Sequence, residues 1–256
     1  MKSIDKRILD MKRRAKDLSA ARPQQPYFHD LANELAHAKD IFFDNSMVLH
    51  MQGDALVFLD EACGLGVEHA KKVAVDTAAL ILAEPSGLNQ DERRRMAILA
   101  ELAGLLHDAT RHEEDHAAQG ADLAMRLLRG YAISSEERLW VAQAIAEHEN
   151  PNGSAPIGPE PALLLAAALY DADKFRYGPD IFATTLWELC ECDEARLEDI
   201  ALIFPEGPRK ARGYIDTFRT VEGRRHGPQL LAEGLSLAEE LTRMLERTLA
   251  ASTSNS

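Results

Sequence analysis

Imidazole and carboxylate side chains recur along this chain in an order that can hold metal ions. His107 and Asp108 end the apolar run 97–106, and Arg111, His112 and His116 follow shortly. Glu147, His148 and Glu149 come next as a block, and Asp171, Ala172, Asp173 and Lys174 close the most apolar stretch of the chain. His69 lies upstream, where Val73, four residues on, shares its helical face. Histidine nitrogen and carboxylate oxygen are donors that suit divalent iron, manganese, zinc and similar ions. Delivered into a core by apolar segments, such groups are costly unless something satisfies them. The His-Asp pair alone says little, because His29-Asp30 repeats it without comparable company. His29, His37, His50 and His226 fall at no usable spacing and read as structural.

Donors arriving from separate segments need helices that face one another, as in a bundle core. Adjacent helical residues point about 100° apart, so His107 and Asp108 can serve one cluster only from a helix end or a distortion. The patterning agrees with this demand. Apolar residues recur at helical spacing almost throughout and strand-like alternation is nearly absent, which predicts an all-α protein. Expected helices cover 3–19, 27–43, 54–62, 66–83, 91–108, 116–129, 135–148, 160–175, 180–191, 208–221 and 228–250. Ser134 or Ser135 can cap the helix that carries Glu136 and Glu137. Asn150, Pro151, Asn152 and Gly153 stop that helix and begin a loop through Pro156 and Pro159. The expected organisation is a metal-binding helical domain over 54–195, with accessory helices over 1–53 and 196–256; residues 251–256 look frayed.

Composition narrows the function classes. The 256 residues are 46% hydrophobic and carry a net charge of −13, which opposes the phosphate backbone of nucleic acids unless basic groups are segregated. Two segments are basic. Residues 1–22 hold eight Lys or Arg against three Asp, and Ile4, Ile8, Met11, Ala15 and Leu18 form an apolar stripe, so this reads as a basic amphipathic helix packed by that stripe. The second, with Arg209, Lys210, Arg212, Arg219, Arg224 and Arg225, is a candidate rim for an anionic ligand. The longest unbroken apolar run, 162–170, is far short of the roughly 20 residues of a membrane helix. No secretory leader is visible, and a cytoplasmic location is expected. Cys63, Cys190 and Cys192 make neither a disulfide framework nor a zinc site and are expected to be reduced.

The order His69, His107-Asp108, His116, His148, Asp173 resembles the HD-domain superfamily of metal-dependent phosphohydrolases. Local stretches carry the likeness: His69 with Lys72-Val73, Leu105-Leu106-His107-Asp108, Ala172-Asp173-Lys174, the His116 to Ala121 segment with its Gly120-Ala121, and His148-Glu149. It covers about residues 66–175. The resemblance implies an HD-domain-like helical bundle with accessory N- and C-terminal helices. It implies one metal held by His69, His107, Asp108 and Asp173, with Asp108 bridging to a second held by His116 and His148. His112 is the alternative to His116, which the Gly-Ala context favours. Thr110 and Arg111 replace the glycine and lysine that often follow the pair.

The activity so implied is hydrolysis of a nucleotide or other small phosphate ester by a metal-activated hydroxide, with Asp108, Arg111 and Lys174 as the catalytic residues. The cofactors would be two divalent ions, iron or manganese ahead of zinc, magnesium, nickel or cobalt. The expected partner is a small phosphorylated substrate, without nucleic acid or membrane; a dimer is compatible with the sequence. Two alternatives share the donors: a diiron oxygenase of the same superfamily, and a metal-stabilised sensor or partner-binding module without turnover.

Overall fold

A computed structural model describes residues 5–59, 66–150, 159–192 and 195–253, and among them every regular element is helical. The first helices are α1 (Lys6–Ala20), α2 (Pro26–Asp30), α3 (Ala32–Asp44) and α4 (Ser46–Ala55). Next come α5 (Val67–Ala83), α6 (Gln90–Leu106), α7 (His116–Leu127), α8 (Ser135–Glu147) and α9 (Glu160–Phe175). A single π-helical turn (Ile181–Thr185) leads into α10 (Leu186–Cys192), α11 (Leu197–Ile203), α12 (Glu206–Tyr214) and α13 (Val221–Thr253). Among the described residues no helix is long and apolar enough to cross a membrane.

α6 is the central rod. Everything from Met96 to Leu106 is buried, and α5, α8 and α9 pack around it. Small residues set the closest approach: a Cβ on Gly104 would stand 2.6 Å from the amide nitrogen of Ala74 on α5. Local signals then fix the helix starts. Asn89 and Glu92 form a reciprocal capping box on α6, and Ser134 with Glu137 does the same on α8. Arg95 of α6 holds the same Glu137 at 2.6 Å, which ties the two helices together at that end.

A second core lies beyond α9. Ile8, Met11 and Ala15 of α1 pack with Phe182, Trp187, Leu197, Ile200 and Phe204, and with Leu237, Leu241 and Leu245 of α13. The basic face of α1 is met by acids of its own chain: Arg7 by Glu198, Lys12 by Glu191, and Arg22, just after the helix, by Glu233 and Glu240. α13 joins the two cores, since its Leu230 and Leu231 belong to the first.

Several boundaries differ from the sequence-based expectation. α13 does not start at Pro228 but at Val221, with Pro228 inside it. The cause is long-range capping: the buried Asp171 carboxylate accepts from the Arg219 and Thr220 amides, and Thr220 Oγ1 accepts from the Gly223 amide at 2.8 Å. The helix expected over 27–43 is broken at Leu31, whose backbone (φ −104°, ψ 26°) leaves the helical region. In place of a helix from 54, α4 begins at Ser46, capped by the Asn45 side chain. α11 was not expected. Cys190 is buried in the second core. Cys63, residues 60–62 of one expected helix, the turn Pro151, Asn152 and Gly153 with Pro156, and residues 254–256 lie outside the described residues.

Candidate metal centre

Helix ends converge on one point. His69 sits in the first turn of α5, His107 and Asp108 follow α6, His116 opens α7, His148 follows α8, and Asp173 lies in the last turn of α9. His107 keeps helical backbone angles (φ −58°, ψ −38°), and with Asp108 it stands where α6 ends, facing the other helix ends. Thr110 Oγ1 donates to the His116 carbonyl at 2.8 Å, closing the turn between α6 and α7. Gly120 permits that closeness, because a Cβ there would lie 3.3 Å from Thr110 Oγ1 and 3.4 Å from the His107 carbonyl.

Asp108 is the centre of the arrangement. Its Oδ2 faces His69 Nε2 at 3.6 Å and His107 Nε2 at 3.5 Å. Its Oδ1 faces His148 Nε2 at 3.7 Å and His116 Nε2 at 3.9 Å. Asp173 Oδ1 completes the first group, 3.6 Å from His69 and 3.9 Å from His107. The two imidazoles of that group approach to 3.2 Å between their Nε2 atoms. On the other side Glu149 Oε2 stands 3.3 Å from His116 Nε2.

The proton inventory favours a cation among these atoms. His107 Nδ1 lies 2.8 Å from the Gly104 carbonyl and His148 Nδ1 lies 2.6 Å from the Ile145 carbonyl. A carbonyl only accepts, so both Nδ1 atoms carry protons and donate. In the neutral ring the two Nε2 atoms then turn lone pairs toward a carboxylate, acceptor against acceptor, which a proton on the ring or a metal ion between them relieves. Burial pushes His107 down to about 4, against the pull of Asp108, and keeps it a neutral donor ring. For His148 burial acts the same way, but the Asp108 and Asp173 carboxylates beside it outweigh it and raise its pKa, so its Nε2 meets Asp108 through a proton when no ion is bound. Burial would raise both carboxylates; instead His107, His148 and Arg111 hold Asp108 far below the ordinary range, and Lys174 with His69 does so for Asp173. Both remain ionised.

The predicted cations stand at the rim and behind it. Arg111, 41% exposed at its side chain, is ion-paired with Asp108 Oδ2. Lys174 is buried, 2.6 Å from Asp173 Oδ2, with its ammonium over the rings of Tyr170 and Tyr214. Both line a cleft of about 60 Å³ together with His69, Asp108, Tyr177 and Ile181. Asp171, beside them in sequence, takes no part and caps α13 instead.

His112 is exposed and belongs to none of the donor groups, which include His116. Of the remaining histidines, His29 is 90% exposed beside Asp30, His50 stacks on Tyr131, and His226 is buried between Glu222 and the Tyr27 ring. The basic C-terminal segment disperses: Arg209 pairs with Glu206, Arg225 with Glu222 and Asp30, and Arg219 lies 3.7 Å over the Tyr170 ring. Sequence reasoning named Glu149 beside His148 without giving it a role and did not single out Arg176 or Tyr177; all three line the cleft. Only Glu149 gave a signal, as the neighbour of a candidate ligand. The chain matches no protein-family model, no curated protein and no solved structure.

Proposed function

We propose that this chain is a metal-dependent phosphoric ester hydrolase of the HD-domain type, acting on a small phosphorylated, nucleotide-like substrate. The observation that carries this reading is the division of the Asp108 carboxylate, one oxygen toward His69 and His107 and the other toward His148 and His116. A carboxylate so placed between two sets of imidazoles suits a pair of ions. His69, His107, Asp173 and Asp108 Oδ2 would hold one, and His116, His148 and Asp108 Oδ1 the other. Divalent ions bound there would supply Lewis-acid charge to phosphoryl oxygens and lower the pKa of water at the site.

The chain's own residues do the rest. Arg111 is the half-exposed cation: its guanidinium, paired with Asp108, can offer planar paired donors to a phosphoryl group in the cleft. Lys174, buried between Asp173 and two aromatic rings, acts through Asp173 by holding its carboxylate in position. Tyr177, Ile181 and Thr185 wall the cleft and limit water around the reacting ester.

The test is release of phosphate or p-nitrophenol from a panel of nucleotides and phosphate esters, by the full chain stripped with chelator and reloaded with Mn²⁺ or Fe²⁺. Release that needs the metal and disappears in Asp108→Asn is expected. A loaded chain that releases nothing from any ester overturns the hydrolase; oxygen consumption by the iron-loaded chain would then point to the oxygenase alternative.

A further inference from the structure

Resting on the two-ion reading above, we propose that Glu149 is the fourth protein donor to the second ion, and that the two sites differ in how tightly they hold metal. The first site gathers four donor atoms from His69, His107, Asp173 and Asp108 Oδ2. The second has three, His116, His148 and Asp108 Oδ1, until Glu149 is counted. Its Oε2 lies 3.3 Å from His116 Nε2, and His116, His148 and Glu149 each bring a ligand atom within 4.8 Å of the others.

Charge points the same way. Two divalent ions with Arg111 and Lys174 bring six positive charges, while Asp108 and Asp173 bring two negative ones; a third carboxylate lowers an excess that an anionic substrate balances further. The surroundings are unequal. His107 is fully buried and Asp173 nearly so, whereas the Glu149 side chain is 57% exposed and follows the end of α8. Water reaches the second site through this carboxylate, so its ion exchanges more readily. The sites fill in order, first the buried one and then the one that Glu149 completes.

Manganese titration of the chelator-stripped full chain, followed by calorimetry and by the electron paramagnetic resonance of the bound ions, tests this. Wild type is expected to take two ions in two steps, the second giving a coupled two-ion signal. Glu149→Gln keeps nearly the same shape and loses the charge; it should leave the first step unchanged and weaken the second more than about 100-fold, beyond the roughly 10- to 100-fold that loss of a group merely supporting a ligand commonly costs. Glu149→Asp should recover part of that loss. If Glu149→Gln takes both ions at wild-type affinity, the assignment of Glu149 fails while the two-ion site stands. If wild type takes one ion, or none, the two-ion reading itself fails and Glu149 with it.

Discussion

Replacing Gly104 with alanine sets two effects of opposite sign against each other. Alanine in a helix interior is favoured over glycine by about 0.5–1 kcal/mol. Yet a Cβ at this position would meet the Ala74 amide nitrogen at 2.6 Å and its Cβ at 3.0 Å, so α6 must retreat from α5 by about 1 Å to restore ordinary contact. Overpacking of this kind costs about 1–3 kcal/mol, which outweighs the helix gain and leaves a net loss of about 1–2 kcal/mol. The displacement reaches the site. His107 follows by one turn, about 5 Å along the axis, and its Nδ1–H bonds to the Gly104 carbonyl itself. The 3.2 Å between the Nε2 atoms of His69 and His107 should open toward about 4 Å, with metal affinity at the first site falling about 10- to 100-fold.

Gly53 is the control, an exposed position of α4 where an added Cβ meets nothing within 4 Å. Urea unfolding in chelator, followed by manganese calorimetry, compares them. Gly53→Ala should gain about 0.5–1 kcal/mol with metal binding unchanged. A Gly104→Ala variant that gains as much, and binds metal like wild type, would refute the claim that this contact sets the geometry of the donors.

Further outcomes concern charge. Glu101 is fully buried in α6, its oxygens accept no hydrogen bond, and burial pushes its carboxyl from 4.5 up to about 9. Because the folded state holds this proton longer than the unfolded one, stability is full below about pH 4.5 and declines as pH rises toward 9. At about 1.36 kcal/mol per pH unit the loss is at most about 3 kcal/mol at pH 7; Glu101→Gln should flatten the profile of urea midpoints, and parallel profiles would contradict this. Asp171, pushed up to about 6 by burial against its four capping hydrogen bonds, adds a smaller decline of the same sign between 3.8 and 6. Asp108→Asn should lose most bound metal and all turnover with helical circular dichroism retained, whereas His29→Ala should change neither; equal losses would dissolve the site. Arg111→Met should raise KM for phosphate esters more than it lowers metal content, and the reverse pattern would make Arg111 a support for Asp108 alone.

The donor set was legible because chemistry and periodicity met at the same places. An apolar run such as 97–106 reads as a buried helix whatever its neighbours, so polar groups placed directly after it must face the interior. The Ser134 cap was legible for a local reason, a hydroxyl three residues before Glu137. What escaped depends on contacts remote in sequence. Pro228 signals a helix start, and nothing near it tells that Asp171, some fifty residues earlier, caps a helix seven positions upstream. The break at Leu31 interrupts an apolar pattern that continues on both sides. Glu149 looks like any exposed acid at a helix end until the fold brings His116 within 3.3 Å.

The two-core layout has a consequence for the order in which the molecule can assemble. α1 buries Ile8, Met11 and Ala15 against Leu237, Leu241 and Leu245 of α13, and Arg7 reaches Ser252, 245 positions away. During synthesis this helix therefore waits with its apolar stripe uncovered until Phe182, Trp187, Leu197 and Ile200 have emerged, and its burial is complete only when α13 follows. Most of the first core has a shorter delay, since α3 to α9 are near neighbours along the chain and their closure entropy is small, and only Phe218, Leu230 and Leu231 come later. The metal donors would thus be gathered while α1 is still unpartnered. A ribosome-bound chain halted so that Asp173 but not Phe182 has left the exit tunnel should bind manganese and yet expose α1 to protease, with protection arriving as the segments that bury α1 emerge.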